Sequence, residues 1–276
     1  MAIHQVDIVR AELADFVDEL TAVRQPAQPF GVYVSRFDEP GAELGRFVER
    51  GVFLEVFDNT PEQLAHEYDQ YEPGSVFITV IDHARRVPCG MMRVLVPSPA
   101  GFKSLDDVLA GWDVPVPALL ARVDTEWDLD RVWDFATLAV APEYRGEAAL
   151  GLVTQALLQT VTVLGGVCDF DRYVAILDVP VLRMLQWRIA RPFEAFPGID
   201  AREYLGSAAS MPVWGSRRAW SEQLAARDPV LHELLFAGRG LESVLSTPAW
   251  DQAAAVVMDV AVESRAPSPA TPRREP

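Results

Sequence analysis

Lysine is almost missing from this chain: Lys103 is the sole one among 24 Lys+Arg, which face 40 Asp+Glu for a net charge of -16. That balance argues against phosphate-backbone binding as the main task, since nucleic-acid affinity rests on clustered Lys and Arg, although a local basic groove stays open. There are only two cysteines, Cys89 and Cys168, in apolar segments without CxxC or Cys/His spacing. They exclude a disulfide scaffold and read as buried free thiols. His4, His66, His83 and His232 are scattered, with no HExxH or paired spacing, so no metal site is expected. No GxSxG elbow anchors nucleophilic hydrolysis. No apolar run is long enough to span a bilayer, and MAIHQVDIVRAELADFVDEL carries acids where a secretory signal would be basic and then apolar; a cytoplasmic protein is expected.

What is present is a core-forming sequence. Half of the 276 residues are hydrophobic, enough for one large domain with an appendage. Residues 1–29 read as an N-terminal arm ending in QPAQP, and 30–218 as the main domain. Residues 219–262 read as a helical C-terminal extension, and 263–276, Pro-rich without an apolar face, as a disordered tail. GVYVSRFD begins the main domain as a strand, and ELGRFVERGVFLEVF follows as an amphipathic helix. A second helix is expected over DNTPEQLAHEYDQY, capped by Asn59 or Thr60, with Pro61 at its first position. SVFITVID and PCGMMRVLVP form an antiparallel hairpin, and SLDDVLAGW a short helix with Ser104 as its cap. A Pro- and Asp-rich connection over 113–130 leads to the strand RVWDFATLAV. A helix then runs from Gly146 to Leu164, closed by Gly165 and Gly166. RYVAILD, a helix over VPVLRMLQWRI, and strands near AREYLG and MPVWGSRRAW complete a mixed α/β sheet.

Three places carry candidate chemistry. Period two along 131–140 puts Val132, Asp134, Ala136, Leu138 and Val140 on one face and Trp133, Phe135, Thr137 and Ala139 on the other. Asp134 is therefore a carboxylate on an apolar face, able to accept a proton near neutrality, or else a structural acid satisfied by an arginine or a backbone amide. Arg93 shares its strand face with Cys89, Met91 and Leu95 and needs an anion. Asp134, Glu67, Asp69 and Glu72 are the candidates. In APEYRGEAALGLVTQALL, Arg145, Gly146 and Gly151 sit where a strand opens into a helix, and free amides there bind phosphates; simple turn chemistry is the other reading. The aromatics Phe47, Phe53, Phe57, Tyr68 and Tyr71 either line a pocket for a chain-like ligand or pack the core.

The stretch WDFATLAVAPEYRGEAALGLVTQALL resembles the acyl-CoA-binding core of the GNAT acyltransferase superfamily. Within it, EYDQYE, PCGMMRVLVPS, WDFATLAV, LRMLQWRIARPF and MPVWG, in that order over roughly residues 45–215, are similar to the acyl-homoserine-lactone synthase and N-acyl amino acid synthase branch. The resemblance implies a GNAT-like fold of the α+β or α/β class: a mixed, mostly antiparallel central sheet flanked by helices. It implies Asp134 as the acid that helps deprotonate an acceptor amine. Leu138 and Val140 would offer backbone groups to the pantetheine arm, and Arg145, Gly146, Ala148, Ala149 and Gly151 would form the pyrophosphate turn. Substrate contacts would come from Phe53, Phe57, Asp69, Glu72, Arg93 and Trp133, with Phe53 and Phe57 on a mobile N-terminal loop. There are departures. Thr137 stands where the synthases carry an Arg, Ala148 and Ala149 replace glycines, and Leu185 and Gln186 lie near the place of the tyrosine that protonates the leaving thiolate, leaving Tyr144, Tyr173 or solvent to serve.

The expected function is N-acyl transfer from acyl-CoA or acyl carrier protein to a small, amino-acid-like amine, with no tightly bound cofactor and no metal. Two alternatives are an acyl-homoserine-lactone synthase using S-adenosylmethionine and a non-catalytic acyl-binding or regulatory protein. No nucleic-acid partner and no membrane span are expected, and a homodimer is allowed.

Overall fold

The computed structural model describes residues 13–22, 27–57, 60, 66–123, 126–146 and 150–264, apart from the side chains of Val56 and Phe57. Its strands form where β-branched and aromatic residues alternate or run together. They are β1 (Phe30–Arg36), β2 (Ser75–Asp82), β3 (Val87–Leu95), β4 (Val132–Val140), β5 (Arg172–Asp178), β6 (Glu194–Ala195), β7 (Arg202–Tyr204), β8 (Ser207–Ser216) and β9 (Leu245–Ser246). Among the described residues they make a nine-stranded sheet in the order β6-β8-β5-β4-β3-β2-β1-β9, with β7 on β8. Every pairing is antiparallel except β4 with β5 and β1 with β9. The mixed, mostly antiparallel sheet is the one expected from the sequence. β2 is buried along its whole length because helices cover both of its faces.

One face carries α1 (Pro40–Phe57), whose Ala42, Val48 and Val52 pack on Phe77, Met91 and Ala139. Further along that face, α2 (Lys103–Trp112) and α3 (Val116–Leu120) cover β4 and β5 through Leu105, Val108, Leu119, Val132 and Val174. The opposite face is covered by α4 (Leu152–Val167), which buries Val153, Ala156, Leu157 and Val161. After β5 comes α5 (Val179–Arg188), and after β8 come α6 (Arg217–Arg227), α7 (Pro229–Phe236) and α8 (Trp250–Glu263). Trp220, Leu224, Leu235, Leu245, Ala253 and Val257 from this last third enter the same core as α4, and β9 extends the sheet beside β1. The C-terminal helices are thus part of the central packing. At the other end, the helical segment over 13–22 seats Val17 on Tyr33, Leu44 and Ile81. No helix among the described residues is long and apolar enough to cross a membrane.

Several local expectations change for identifiable reasons. A β-bulge leaves Ala136 without a partner on β3, since Arg93 pairs Thr137 and Val94 pairs Phe135. The extra residue reverses the strand's parity, so Asp134 shares its face with Thr137 and Ala139, while Val140 joins Phe135 on the α4 side. A second bulge at Cys89 moves that thiol away from the Arg93 face into the α4 core. Ser104 does not cap α2; the helix starts at Lys103 after Phe102, whose own side chain makes no capping bond. The connection over 113–130 holds α3 and a short 3-10 turn at Leu129–Arg131. Gly165 and Gly166 lie inside α4 and do not close it; Gly165 makes room for the Phe170 ring, which a Cβ there would meet at 1.6 Å. RRAW opens α6 and is not strand. Asn59 and residues 61–65 lie outside the described residues, as do 265–276.

Candidate active site

Strands β4 and β5 pair only through Val132–Arg172, Trp133–Tyr173 and Asp134–Val174. Beyond that rung they separate, and the edge of β4 facing β5 has no strand partner among the described residues. The bulge at Ala136 adds local twist at the point of separation. The gap is a pocket of about 150 Å³ that passes through the sheet. Ala136, Thr137 and Leu138 line one side, and Ile176, Leu177 and Asp178 the other. Val52 and Phe53 of α1 close it on one face, and Leu158, Val181, Leu185 and Phe193 on the opposite one. The β7–β8 hairpin contributes Tyr204, Leu205, Ser207 and Ser210. This lining is mostly apolar, suited to a hydrocarbon chain or thioester, with Thr137, Asp178, Tyr204, Ser207 and Ser210 as its polar members.

Behind Thr137 lies a buried polar layer. Arg93, 2% exposed, donates to Glu49 at 2.7 and 3.2 Å and to Glu72 at 2.8 Å. Burial opposes its charge, but the Glu49 and Glu72 carboxylates outweigh that and raise its pKa. Arg46 also binds Glu72, at 2.5 Å, and the two arginines pull the Glu72 carboxyl down against the effect of its burial. Thr137 gives its hydroxyl proton to Glu49 at 2.7 Å, so the Tyr68 hydroxyl, 2.7 Å from Thr137 Oγ1, is the donor of that second bond. The Tyr68 ring lies against the Arg93 guanidinium, 3.9 Å from its centroid, with Lys103 Nζ 5.3 Å away. Lys103 binds Glu67 at 2.5 Å, Tyr204 Oη at 2.9 Å, and Asp107. Burial works against its ammonium, and Tyr204, Tyr68, Asp107 and Glu67 outweigh it, raising the pKa. Tyr204 therefore joins this layer to the pocket it lines; burial and Asp107 keep its hydroxyl protonated despite Lys103.

Asp134 is fully buried, and its carboxylate accepts the Ser104 backbone N–H at 2.7 Å and the Ser104 hydroxyl at 2.6 Å. It thereby caps the opening turn of α2, where a negative charge meets the helix dipole. Burial lifts its pKa to about 6, with the two Ser104 hydrogen bonds and Lys103 holding it from rising further. Asp134 is not among the pocket-lining residues.

The other expected site residues divide. Leu138 and Phe53 line the pocket, though Phe53 projects from α1 and not from a loop. Phe57 ends α1, and its side chain lies outside the described residues. Arg93 and Glu72 meet in the polar layer, whereas Asp69 is surface-exposed and binds His66, at 3.2 Å. Glu67 pairs with Lys103 and not with Arg93. Trp133 is stacked on Phe170 in the core, ring centroids 4.4 Å apart. The Val140 carbonyl accepts Arg145 Nε at 2.9 Å at the start of the turn. Gly151 caps α4 and folds back on Gly146; a Cβ on it would fall 2.9 Å from the Gly146 nitrogen and 3.0 Å from the Tyr144 carbonyl oxygen. Ala148 and Ala149 lie outside the described residues. Neither tyrosine considered for the leaving thiolate reaches the pocket. Tyr173 donates to the Pro192 carbonyl, and Tyr144 to Asp82 at 2.8 Å, which together with burial pushes its pKa up to about 12.

Glu49, Lys103, Asp178 and Tyr204 belong to or border the site and were not expected from the sequence, whereas Tyr68, expected to line a pocket or pack the core, stands in the polar layer behind Thr137. Glu49 had a signal: it stands on the buried stripe of α1 with Ala42 and Val52, seven and three residues away. Lys103 had another, as the single lysine. Among the described residues no group of three or more His, Cys, Asp or Glu is placed to hold a metal ion.

Neither a protein-family model nor a curated protein matches the sequence. Among solved structures the chain is similar to a CoA-dependent acyl-homoserine lactone synthase, BjaI, with SAM and isopentyl-CoA. Identity is 16% and the TM-score 0.54, over 84% of this chain and 100% of that one. It is also similar to FeeM, an N-acyl amino acid synthase from uncultured soil microbes, at 12% identity and a TM-score of 0.52, over 73% of this chain and 97% of that one. At such identities the likeness shows the fold, which is the GNAT-like one the sequence resembles.

Proposed function

We propose that the protein is an acyltransferase that moves an acyl group from a coenzyme A thioester to the amine of a small acceptor. The carrying observation is the separation of β4 from β5 beyond the Asp134–Val174 rung, which opens an apolar passage through the sheet beside an unpaired strand edge. An amide on that edge near the Ala136 bulge would hold the thioester oxygen as charge develops on it. Gly151, packed against Gly146, opens the N-terminus of α4, and Arg145 is fixed nearby on the Val140 carbonyl; backbone amides at such a helix start attract pyrophosphate. Leu138 and Val140 would flank the pantetheine arm between these two points. The fold likeness to proteins described as CoA-dependent and as acylating amino acids supports the same reading. A net charge of -16 opposes the docking of an acidic carrier protein, whereas coenzyme A, though anionic, needs only a local pocket.

The test is calorimetric titration with hexanoyl-CoA, paired with thiol release in the presence of an amine panel. Gly146→Trp should weaken donor binding by about a hundredfold, near 2.7 kcal/mol. Undiminished binding would remove the phosphate-turn assignment, and no binding or transfer by the unaltered chain would overturn the acyltransferase reading.

A further inference from the structure

We infer that Asp178, held by Ser207, is the group that takes the proton from the attacking amine, an inference that rests on the acyltransferase reading. Asp178 is the one carboxylate among the residues lining the pocket. It ends β5, on the far side of the gap from Thr137 and Leu138, and pairs Ser210 on the last rung with β8. Its position is that of an N-cap for α5, for which Asp is well suited, yet its side chain makes no capping bond. Pro180, in the first turn, lacks an N–H to offer it. The carboxylate instead accepts the Ser207 hydroxyl at 2.5 Å on Oδ1. Among the described residues Oδ2 accepts no hydrogen bond, and no Arg or Lys pairs with the group. A half-buried carboxylate beside an apolar pocket, oriented through one oxygen and unpartnered at the other, is set for a cationic ligand.

Asp134 lacks that freedom: it is wholly buried, outside the pocket lining, and both of its oxygens are engaged by Ser104. In the reaction, the acceptor's ammonium loses one proton to Asp178 and the neutral amine attacks the thioester carbonyl. The C–N bond forms and the C–S bond breaks, the second nitrogen proton passes to the leaving thiolate to give free coenzyme A, and Asp178 releases its proton to water.

Asp178→Asn and Ser207→Ala are compared with the unaltered chain for hexanoyl-CoA binding and for acyl transfer to two acceptors, an amino acid and hydroxylamine. Hydroxylamine is largely neutral in the assay and needs no first deprotonation. Asp178→Asn should leave donor affinity unchanged and lower transfer to the amino acid on the order of a hundred- to ten-thousandfold. The loss with hydroxylamine should be much smaller. Ser207→Ala, which keeps the acid but frees its orientation, should fall in between and keeps the inference testable should Asp178→Asn fail to fold. Amino-acid transfer by either folded variant at the unaltered rate, or equal losses with both acceptors, would overturn the role of Asp178 and leave the acyltransferase reading intact. Absence of transfer by the unaltered chain would overturn both.

Discussion

The seam between β4 and β5 has a closed end and an open end, and each carries an acid treated in the opposite way. At the closed end the strands pair, Asp134 is shut away, and the Ser104 N–H and hydroxyl bind its oxygens. At the open end the strands part, and among the described residues Asp178 keeps an oxygen without a partner beside an apolar passage. Burial depth alone would name Asp134 as the reactive group. The geometry of satisfaction points to Asp178, because Asp134 has each oxygen held by Ser104 and does not line the pocket, whereas Asp178 does. The buried layer around Arg93 follows the closed-end rule, each charge being met by a specific partner.

The largest effect expected at the closed end comes from Arg93→Ala. It would leave Glu49, 4% exposed, without its guanidinium and Glu72 with Arg46 alone. Losing one member of such a buried pair costs about 3–5 kcal/mol, to be read as a lower urea midpoint. A loss below about 1 kcal/mol would mean that the layer is wet and the closed-end rule does not hold there.

Next comes Asp134→Asn, an isosteric change that still lets an amide oxygen accept the Ser104 N–H. The folded carboxyl titrates at about 6 against an ordinary 3.8, so between those values the native chain holds a proton that the unfolded chain has lost. Stability therefore falls as pH rises through that window, by an amount on the order of 3 kcal/mol, and the cost is absent below it. Asp134→Asn should flatten this slope in urea titrations run on either side of the window while changing turnover only a few-fold. A large loss of turnover with the slope intact would exchange the roles of the two acids.

These contrasts mark what the sequence could carry. Strand and helix order were legible because RVWDFATLAV, SVFITVID and GLVTQALLQTVTVL obey periods that local sterics impose. A one-residue bulge at Ala136 was not, since it depends on how β3 and β4 register against each other, and it reversed which residues share a face with Asp134. Ser104 has the place of a cap at the head of SLDDVLAGW, but it lies inside α2, and a carboxylate thirty residues away in sequence binds its N–H and hydroxyl. Pairing in space also decided the Arg93 cluster: Glu72 was legible as a nearby acid, whereas Glu49 required knowing that α1 lies across β3. Asp178 carried no local signal, being one Asp before a Pro-containing helix. Only the parting of two strands gives it a pocket.

The smallest expected effect concerns how the open end is held open. Tyr204 and Ser207 close a two-residue hairpin over Leu205 and Gly206, both at positive φ, 46° and 81°. That is the type I′ turn, which favours Asn-Gly and tolerates a leucine at its first central position only with backbone strain. Leu205 lines the pocket, so the strain sits where an apolar side chain is useful to an acyl group. Leu205→Asn should relieve it, raising stability by about 1 kcal/mol, roughly 2–4 °C in Tm for a chain of this size. Affinity for hexanoyl-CoA should fall a few-fold in the same variant. Both shifts together would show that the open end gives up stability for its lining, as the closed end does not. A variant that melts earlier would instead place Leu205 among the packing residues and make the two ends alike.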